Sequence, residues 1–341
     1  MKLATFKTGK NPRPVFGILI EETLYPFDLL CRRFRVQAPH LASMRTYLEN
    51  LPASFRSAAA LQKRLEQSKK PLRGLRGHSL DTINLLPPVA EPAALLDFGL
   101  TPRHLANSAK TLFRYEMPWP ANHIALALIG RRMRRIDKDL LLYYKGNHNE
   151  LIGHRETTRW PRYTSYLDIE PELAFVTGRE NGRTVAAGYC ILNDFSARDV
   201  QFPEMIGPGL ARSKDLARGN GLGPVLVTPD EAGDVLALDV SVKAGDRFHW
   251  KGSTAEYAAS AEEIIRFVEG VFPLRAGTVI GMGTIPGCCG LDNDLWVLPG
   301  ERVDITFDRL GTLTQHIPAP IEELLPSRWP GRKELREYYR R

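Results

Sequence analysis

From about residue 90 onward, the chain consists mainly of short apolar runs separated by glycine and proline. Such runs predict β-strands, here at 124–129, 173–176, 185–192, 225–228, 235–243, 278–281 and 303–307. Only residues 254–271 carry apolar side chains at helical spacing over a long stretch. We therefore expect a strand-rich domain with few helices, rather than an alternation of strands and helices.

The first part of the chain has a different residue pattern, which predicts a separate, smaller domain. Residues 15–27 predict a β-hairpin, and a helical region rich in Arg, Lys, Leu and Ala continues through residue 66. The proline-rich segment 85–93 is the best candidate for a linker. We predict a small N-terminal domain at 1–88, a larger domain at 89–320 and a basic helical tail at 321–341.

Charge and cysteine content exclude several classes of protein. The net charge of +7, from 46 Lys and Arg against 39 Asp and Glu, admits nucleic acid, a membrane surface or a small anionic substrate as partner. The basic cluster 131–138 lacks interleaved aromatic residues, and the glycine clusters at 219–224 and 281–287 match no nucleotide-binding pattern. No apolar run approaches the roughly 20 residues that cross a bilayer, and the four cysteines show no spacing typical of disulfides. We expect a cytoplasmic protein that binds neither nucleic acid nor membrane.

Acidic and apolar residues alternate in one short stretch. On a strand, Asp168, Glu170 and Glu172 would project from the same side. Carboxylates this close repel one another unless a cation lies between them; an acidic, exposed strand face is the alternative. Asp194 ends another apolar run and could reach the Glu170–Glu172 pair. An all-oxygen set suits Mg²⁺, Mn²⁺ or Ca²⁺ and not zinc, and no Cys/His spacing typical of zinc occurs.

Two segments within residues 168–201 carry a family resemblance: Asp-Ile-Glu-Pro-Glu and Asn-Asp-Phe-Ser-Ala-Arg-Asp-Val-Gln. They resemble motifs of the fumarylacetoacetate hydrolase family. Lys214 lies eight residues before a Leu-Gly-Pro sequence at 222–224, residues 274–287 resemble the family's Gly-Thr segment, and residues 299–313 resemble its closing strands. The resemblance covers about residues 90–315. It implies an α+β, β-rich fold, a mixed β-sandwich roll preceded by a small N-terminal β-containing domain, and a homodimer.

The same resemblance implies a metal site and a catalytic histidine. The metal ligands would be Asp97, Glu170, Glu172 and Asp194, with Mg²⁺ as the first choice and Mn²⁺ or Ca²⁺ as alternatives. Asp97 precedes His104 by seven residues, which is the spacing between a ligand aspartate and the catalytic histidine in the hydrolase that names the family.

The implied reaction is hydrolysis of a carbon–carbon bond in a 1,3-dicarbonyl acid, such as an acylpyruvate or a fumarylacetoacetate-like acid. His104 would activate water while the metal stabilises the enolate. Lys214 would be a second catalytic residue, and the substrate would contact Arg198, Gln201, Lys214 and Thr284. Lys214 could instead be a surface lysine, and Arg198 could instead pair with Asp199.

The chain departs from the family around the histidine. Many members place a glutamate three residues after it, where this chain has Asn107. Another carboxylate must then orient His104, and Asp292, Asp294 and Glu301 are candidates that the sequence does not separate. Without such a partner, a decarboxylase, tautomerase or hydratase acting on a 2-oxo acid at the same metal site becomes the better alternative. A non-catalytic basic binding protein is the alternative from another class, but it would have no reason to cluster carboxylates.

Overall fold

The fold was obtained as a computed structural model that describes residues 1–9, 13–68, 77–129, 136–207, 209–319 and 324–339. Over these residues the strands are, in chain order, β1 Lys2–Thr8, β2 Val15–Ile20, β3 Thr23–Pro26, β4 His78–Ser79, β5 Ile83–Leu85, β6 Ala94–Phe98, β7 Tyr143–Gly146, β8 Leu151–Ile152, β9 Glu156–Thr157, β10 Leu167–Asp168, β11 Pro171–Glu180, β12 Arg183–Asp194, β13 Ser196–Ala197, β14 Asn220–Val227, β15 Asp239–Ala244, β16 Phe248–Ser253, β17 Thr278–Thr284, β18 Arg302–Phe307 and β19 Gly311–His316.

The helices over the same residues are α1 Phe27–Phe34, α2 Met44–Glu49, α3 Ala53–Glu66, α4 Pro102–Glu116, α5 Ala121–Ile129, α6 Arg198–Ile206, α7 Pro229–Ala232, α8 Ala261–Glu269, α9 Gly290–Asn293 and α10 Lys333–Tyr339. Short 3-10 turns occur at Pro39–Leu41, Leu80–Thr82 and Thr254–Glu256.

One large open sheet organises the structure. Its strands follow the order β4-β3-β2-β1-β14-β12-β11-β17-β6-β7, with β5 paired to β1 and β8 paired to β14. A second sheet has the order β16-β15-β18-β19-β9, and β10 pairs with β13 in a separate two-stranded ladder. The expected β-rich α+β fold is confirmed.

Both faces of the large sheet are buried, which explains why its central strands have nearly continuous apolar sequences. Along β11, Leu173 and Phe175 point into a core shared with the second sheet and α8. Ala174 and Val176 point to the other face, where the N-terminal helices α1–α3 supply the packing. This alternation fixes which β11 side chains can face a site at the end of the sheet.

Two expectations about secondary structure were wrong. Residues 124–129 lie in helix α5, not in a strand. Alanine and leucine dominate this run, and they favour a helix, whereas a short apolar run by itself does not separate the two structures. The predicted helix 254–271 is shorter, because the Ser260 hydroxyl accepts a hydrogen bond from the Glu263 N–H and starts α8 only at Ala261.

Strands from both sides of the predicted boundary at residue 88 belong to one sheet. The hairpin expected at 15–27 is formed by β2 and β3, and β1 pairs with β14, so one sheet contains strands from either side of the boundary proposed at residue 88. Near the C-terminus, Trp329 and Arg332 are buried. Most of the basic cluster 131–138 lies outside the described residues. No helix within the described ranges is both long and apolar enough to cross a membrane.

Candidate active site

Four neighbouring strands, β12, β11, β17 and β6, bring the predicted metal ligands together. Asp194 is the last residue of β12, and Glu172 is the second residue of β11. Asp97 lies on β6 beside Gly281 of the parallel strand β17. Glu170 immediately precedes β11, and its backbone carbonyl accepts a hydrogen bond from the Asp194 N–H at 3.1 Å. All four acidic side chains are buried.

The absence of a side chain at Gly281 makes room for this cluster. A β-carbon at this position would lie 2.6 Å from Glu172 Oε2 and 3.1 Å from Asp97 Oδ1. Such distances are too short for ordinary contacts, so any larger residue would displace the carboxylates. The glycine thus lets two acidic side chains converge over β17.

Glu170 is the most heavily contacted member of the cluster. Its Oε1 accepts a hydrogen bond from Thr284 Oγ1 at 2.8 Å and lies 2.8 Å from Arg198 Nη2. Its Oε2 accepts from Ser196 Oγ at 3.0 Å and from the Lys214 ammonium. Burial favours the neutral acid, but the charges of Arg198 and Lys214 outweigh it and hold the pKa of Glu170 well below its ordinary value.

Asp194 and Glu172 have the opposite electrostatic environment. Burial, followed by the charges of Asp97 and Glu170, raises the pKa of Glu172 well above its ordinary value. Burial likewise raises the pKa of Asp194 well above its ordinary value, and the charge of Lys214 only partly opposes it. Asp194 Oδ2 accepts hydrogen bonds from Lys214 and from Tyr144 Oη, the latter at 2.5 Å. Asp194 Oδ1 is buried and has no hydrogen-bond partner among the described residues. The cluster therefore has more negative charge and acceptor capacity than its own cations satisfy.

These observations fit a hard divalent cation. All of the donor atoms are carboxylate oxygens, the ligands that Mg²⁺, Mn²⁺ and Ca²⁺ prefer. The Lys214 ammonium already lies between Glu170 and Asp194, so this position stabilises positive charge. The unpartnered Asp194 oxygen offers a further acceptor.

His104 lies at the edge of the cluster because helix α4 begins just beyond β6. Pro102 occupies the first turn of α4, and Thr101 Oγ1 donates a hydrogen bond to the Thr284 carbonyl at 2.8 Å. Further along α4, apolar residues pack against Tyr166 and Trp329. The helix is thereby held with the His104 ring directed toward the carboxylates.

The two ring nitrogens of His104 contact different acids. Nδ1 lies 2.9 Å from Asp292 Oδ1, and Nε2 lies 3.5 Å from Glu170 Oε1. Burial disfavours the charged ring, but Asp292 and then Glu170 outweigh it and raise the pKa of His104 to about 9. The pKa of Asp292 shifts in the opposite direction. Burial favours its neutral form, but His104 and the Gly287 N–H hold its pKa below the ordinary value.

Among the three carboxylates proposed to orient the histidine, Asp292 makes the contact. Asp294 instead accepts a hydrogen bond from Tyr115 Oη at 2.8 Å, and Glu301 accepts one from Arg247 Nε at 2.7 Å. Asn107, which stands where many relatives have glutamate, directs its amide toward Asp292 Oδ2 at 3.4 Å. Asn107 thus supports the acid rather than replacing it.

Arg198 does not pair with Asp199, contrary to the alternative raised from the sequence. Its Nε donates to Asp168 Oδ2 at 2.8 Å, and its Nη1 donates to Gln201 Oε1 at 2.9 Å. With its contact to Glu170, Arg198 joins two acids and Gln201 in one buried network. Asp199 faces away, accepting hydrogen bonds from Thr164 and Ser327.

The expectation that Asp168 shares a face with Glu170 and Glu172 was also wrong. The chain leaves ladder β10–β13 after Asp168 and enters the large sheet only at Pro171, so the regular alternation is interrupted. Asp168 Oδ1 and Oδ2 accept from the backbone N–H groups of Gly290 and Leu291, at 2.7 Å and 2.9 Å. Its role is to anchor Arg198 and the start of α9.

The structure also brings in residues that the sequence did not single out. Tyr144 reaches Asp194 from β7, and Ser108 Oγ lies 3.3 Å from His104 Nδ1. Cys289 Sγ lies 3.8 Å from the same nitrogen. Tyr144 and Cys289 are far in the chain from their partners, so no local motif marks them, whereas Ser108 lies one helical turn after His104. The remaining predicted site residues, Lys214, Gln201 and Thr284, all contact the network described above.

Comparison with known proteins gives a consistent assignment. The family model for the C-terminal region of fumarylacetoacetate (FAA) hydrolase matches residues 121–318. An uncharacterized protein of Staphylococcus aureus (strain USA300) is 27% identical over 247 residues, which are 70% of this chain and 73% of the relative.

Two solved structures share the fold at low sequence identity. The maleylpyruvate hydrolase of Sphingobium sp. SYK-6, in complex with manganese(II) and pyruvate, is 20% identical with a TM-score of 0.62, covering 94% of this chain and 99% of that one. A 2-keto-3-deoxy-D-arabinonate dehydratase, complexed with magnesium and 2,5-dioxopentanoate, is 19% identical with a TM-score of 0.63, covering 94% of this chain and 100% of that one. Both of these structures hold a divalent metal and a small oxo acid. With more than half of its residues matched by the family model, the chain belongs to the fumarylacetoacetate hydrolase family.

Proposed function

We propose that this protein is a divalent-metal-dependent hydrolase that cleaves a carbon–carbon bond in a 1,3-dicarbonyl acid. The observation that carries the proposal is the position of His104 between two acids. Nδ1 contacts Asp292 at 2.9 Å, while Nε2 faces the carboxylate cluster through Glu170 at 3.5 Å. A histidine held in this way is suited to take a proton from water beside a metal site.

Asp97, Glu170, Glu172 and Asp194 would hold the cation, with Mg²⁺ as the first choice. When bound, a divalent cation supplies Lewis-acid chemistry, polarising carbonyl oxygens and stabilising the negative charge that develops on the leaving carbon. The crowded carboxylates, two of which have a raised pKa, support this assignment. The neutral form of His104 also becomes more accessible when Glu170 is neutralised, because Glu170 is one cause of the raised pKa of His104.

The side chains of this protein then have separate tasks in the reaction. Asp292 accepts the Nδ1–H of His104 and leaves Nε2 free to remove a proton from water. The resulting hydroxide attacks the distal carbonyl carbon, the bond between that carbon and the central carbon breaks, and a proton returns to the central carbon. Lys214 and Thr284 would bind the substrate carboxylate or stabilise the oxyanion. Arg198 fixes Glu170, and Gln201 fixes Arg198.

The Asp292 contact also favours hydrolysis over decarboxylation and tautomerisation. Decarboxylation or tautomerisation of a 2-oxo acid does not need an activated water, and a histidine without an acidic partner would suit these reactions as well. Here the acid is present and points at Nδ1. Water activation is therefore the chemistry that this pair of side chains supports best.

The test is a comparison of substrates with and without metal. Acetylpyruvate and oxaloacetate are incubated with the protein and Mg²⁺, and loss of the enol absorbance is followed together with the products. We expect acetylpyruvate to yield acetate and pyruvate, and EDTA or Glu170→Ala to stop the reaction. Turnover that survives either treatment would overturn the metal-dependent mechanism, and loss of oxaloacetate alone would favour the decarboxylase.

A second variant tests the base. His104→Ala should abolish hydrolysis while Mn²⁺ binding, measured by electron paramagnetic resonance, stays close to that of the unmodified protein. Persistent turnover in this variant would show that another group activates the water. The predicted homodimer can be checked in the same samples by analytical ultracentrifugation.

A further inference from the structure

A second group of metal-ligating side chains lies on the opposite side of the His104 ring from the carboxylate cluster. His104, Cys289 and Asp292 each offer one ligand atom, and these three atoms lie within 4.8 Å of one another. The residues come from α4, from the position just before α9 and from α9 itself. His104 and Cys289 are buried, and Asp292 is half-buried.

Two of the three distances within this group are close to those of a tetrahedral metal site. Zinc binds nitrogen and oxygen at about 2.0–2.1 Å and sulfur at about 2.3 Å, so neighbouring ligand atoms lie roughly 3.3–3.6 Å apart. Here Nδ1 of His104 lies 3.8 Å from Sγ of Cys289 and 2.9 Å from Oδ1 of Asp292. The first distance must shorten and the second lengthen by a few tenths of an ångström, and the distance from Sγ to the Asp292 oxygen, at most 4.8 Å, must also shorten for all three atoms to bind one ion.

This group differs from the carboxylate cluster in its ligand atoms and in the hydrogen bonds that hold them. A thiolate and an imidazole are ligands that favour zinc over magnesium. The second oxygen of Asp292 is held by the Gly287 N–H at 2.7 Å, and Ser108 Oγ donates to its first oxygen at 3.2 Å. Such outer contacts orient metal ligands in known sites.

We propose that His104, Cys289 and Asp292 form a zinc-binding site, with a water as the fourth ligand. Binding forms three coordinate bonds, one each from the thiolate, the Nδ1 lone pair and the carboxylate. The thiol proton leaves to solvent, the neutral imidazole binds as the tautomer that carries its proton on Nε2, and no atom changes its oxidation state. Burial raises the pKa of the Cys289 thiol, yet a coordinating metal ion removes a thiol proton outright.

Occupation of this site has a consequence for the reaction, and this step rests on the proposed function. A histidine that binds zinc through Nδ1 keeps its proton on Nε2, the nitrogen that faces Glu170. It cannot then accept a proton from water. Zinc at this site is therefore an inhibitor of hydrolysis, even when Mg²⁺ occupies the carboxylate cluster.

The first measurement concerns metal binding alone. The full chain is saturated with Mg²⁺, and Zn²⁺ is titrated in competition with a chromophoric chelator; Co²⁺ is then used as a spectroscopic substitute. We expect one zinc per chain and a thiolate-to-cobalt charge-transfer band. In Cys289→Ser, the band should disappear and zinc affinity should fall by more than the roughly 10–100-fold that loss of an outer partner costs.

Cys288→Ser is the matched control, because Cys288 is equally buried but packs into a different apolar cluster. It should keep both the cobalt band and the zinc affinity. Unchanged zinc affinity in a folded Cys289→Ser protein, or no charge-transfer band in the unmodified protein, would overturn the site. These readouts need no turnover, so they remain decisive even if the hydrolase proposal fails. If that proposal holds, zinc should inhibit the unmodified protein far more than Cys289→Ser.

Discussion

Replacement of Asp292 by asparagine is the sharpest test of how the histidine works. The 2.9 Å contact between Nδ1 and Oδ1 is a hydrogen bond that involves a charged group, which contributes about 1.5–3 kcal/mol. At about 1.4 kcal/mol per factor of ten, its loss alone predicts roughly a 10- to 150-fold fall in kcat. An asparagine amide can also donate to Nδ1 and place the ring proton on Nε2, which removes the base. The total expected loss is therefore about 10²–10⁴-fold.

The pH dependence should change in a defined direction. In the unmodified protein, Asp292 is the main factor that raises the pKa of His104 against the effect of burial. Without that carboxylate the pKa of His104 falls, so the acidic limb of the kcat/KM profile should move to lower pH. KM should change by only a few-fold, because Asp292 contacts the histidine and not the predicted metal ligands.

Steady-state kinetics on acetylpyruvate across pH 5 to 10 measure both effects. Asp294→Asn is the matched control, since this neighbouring acid contacts Tyr115 and Arg114 instead of the histidine. The reasoning is refuted if Asp292→Asn keeps kcat within threefold of the unmodified protein, or if Asp294→Asn loses as much activity.

Three further predictions concern the site and the stability of the fold. Gly281→Ala should weaken Mn²⁺ binding by about tenfold or more, because its β-carbon would lie 2.6 Å from a glutamate oxygen; Gly331→Ala, with no atom within 4 Å of its β-carbon, should bind normally. Burial and then Arg155 lower the pKa of His154 from 6.5 to about 4. As pH falls from 6.5 toward 4, His154 binds a proton in the unfolded chain but not in the folded chain, so the free energy of unfolding decreases in this window. His154→Asn should therefore flatten this part of the Tm profile, and an unaltered slope would contradict the assignment. Ser260→Ala removes the cap of α8 and should cost about 1 kcal/mol in urea unfolding, whereas a change within error would show that the cap contributes little.

The sequence predicted the parts of the site whose residues lie in local motifs. Glu170, Glu172 and Asp194 belong to two strand ends that the chain connects through one hairpin, so their proximity follows from strand pairing. Asp292 is 188 residues from His104, and three acids within ten positions were equally plausible partners. Which of these acids faces His104 depends on α9 and on the left-handed backbone of Asp294, at φ 53°, which turns neighbouring acidic side chains in different directions.

The errors in the predicted secondary structure and strand faces have a similar origin. The run at 124–129 has no polar residue to define a period, and so its helical state depends on packing against α4. Asp168 differs from Glu170 because the backbone changes sheets between them, which a pattern of alternating residues does not reveal.

The position of β17 in the large sheet affects how the protein can assemble during synthesis. It is the last strand of that sheet in the sequence, yet it lies between β11 and β6. Until residue 284 leaves the ribosome, the strands that carry Asp97 and Glu172 have no partner between them. The nascent chain therefore exposes two unpaired apolar strand edges, which are sites of misassembly and chaperone binding. Pairing of β17 with β11 and β6 closes both edges and sets the strands of Glu172 and Asp97 on either side of it.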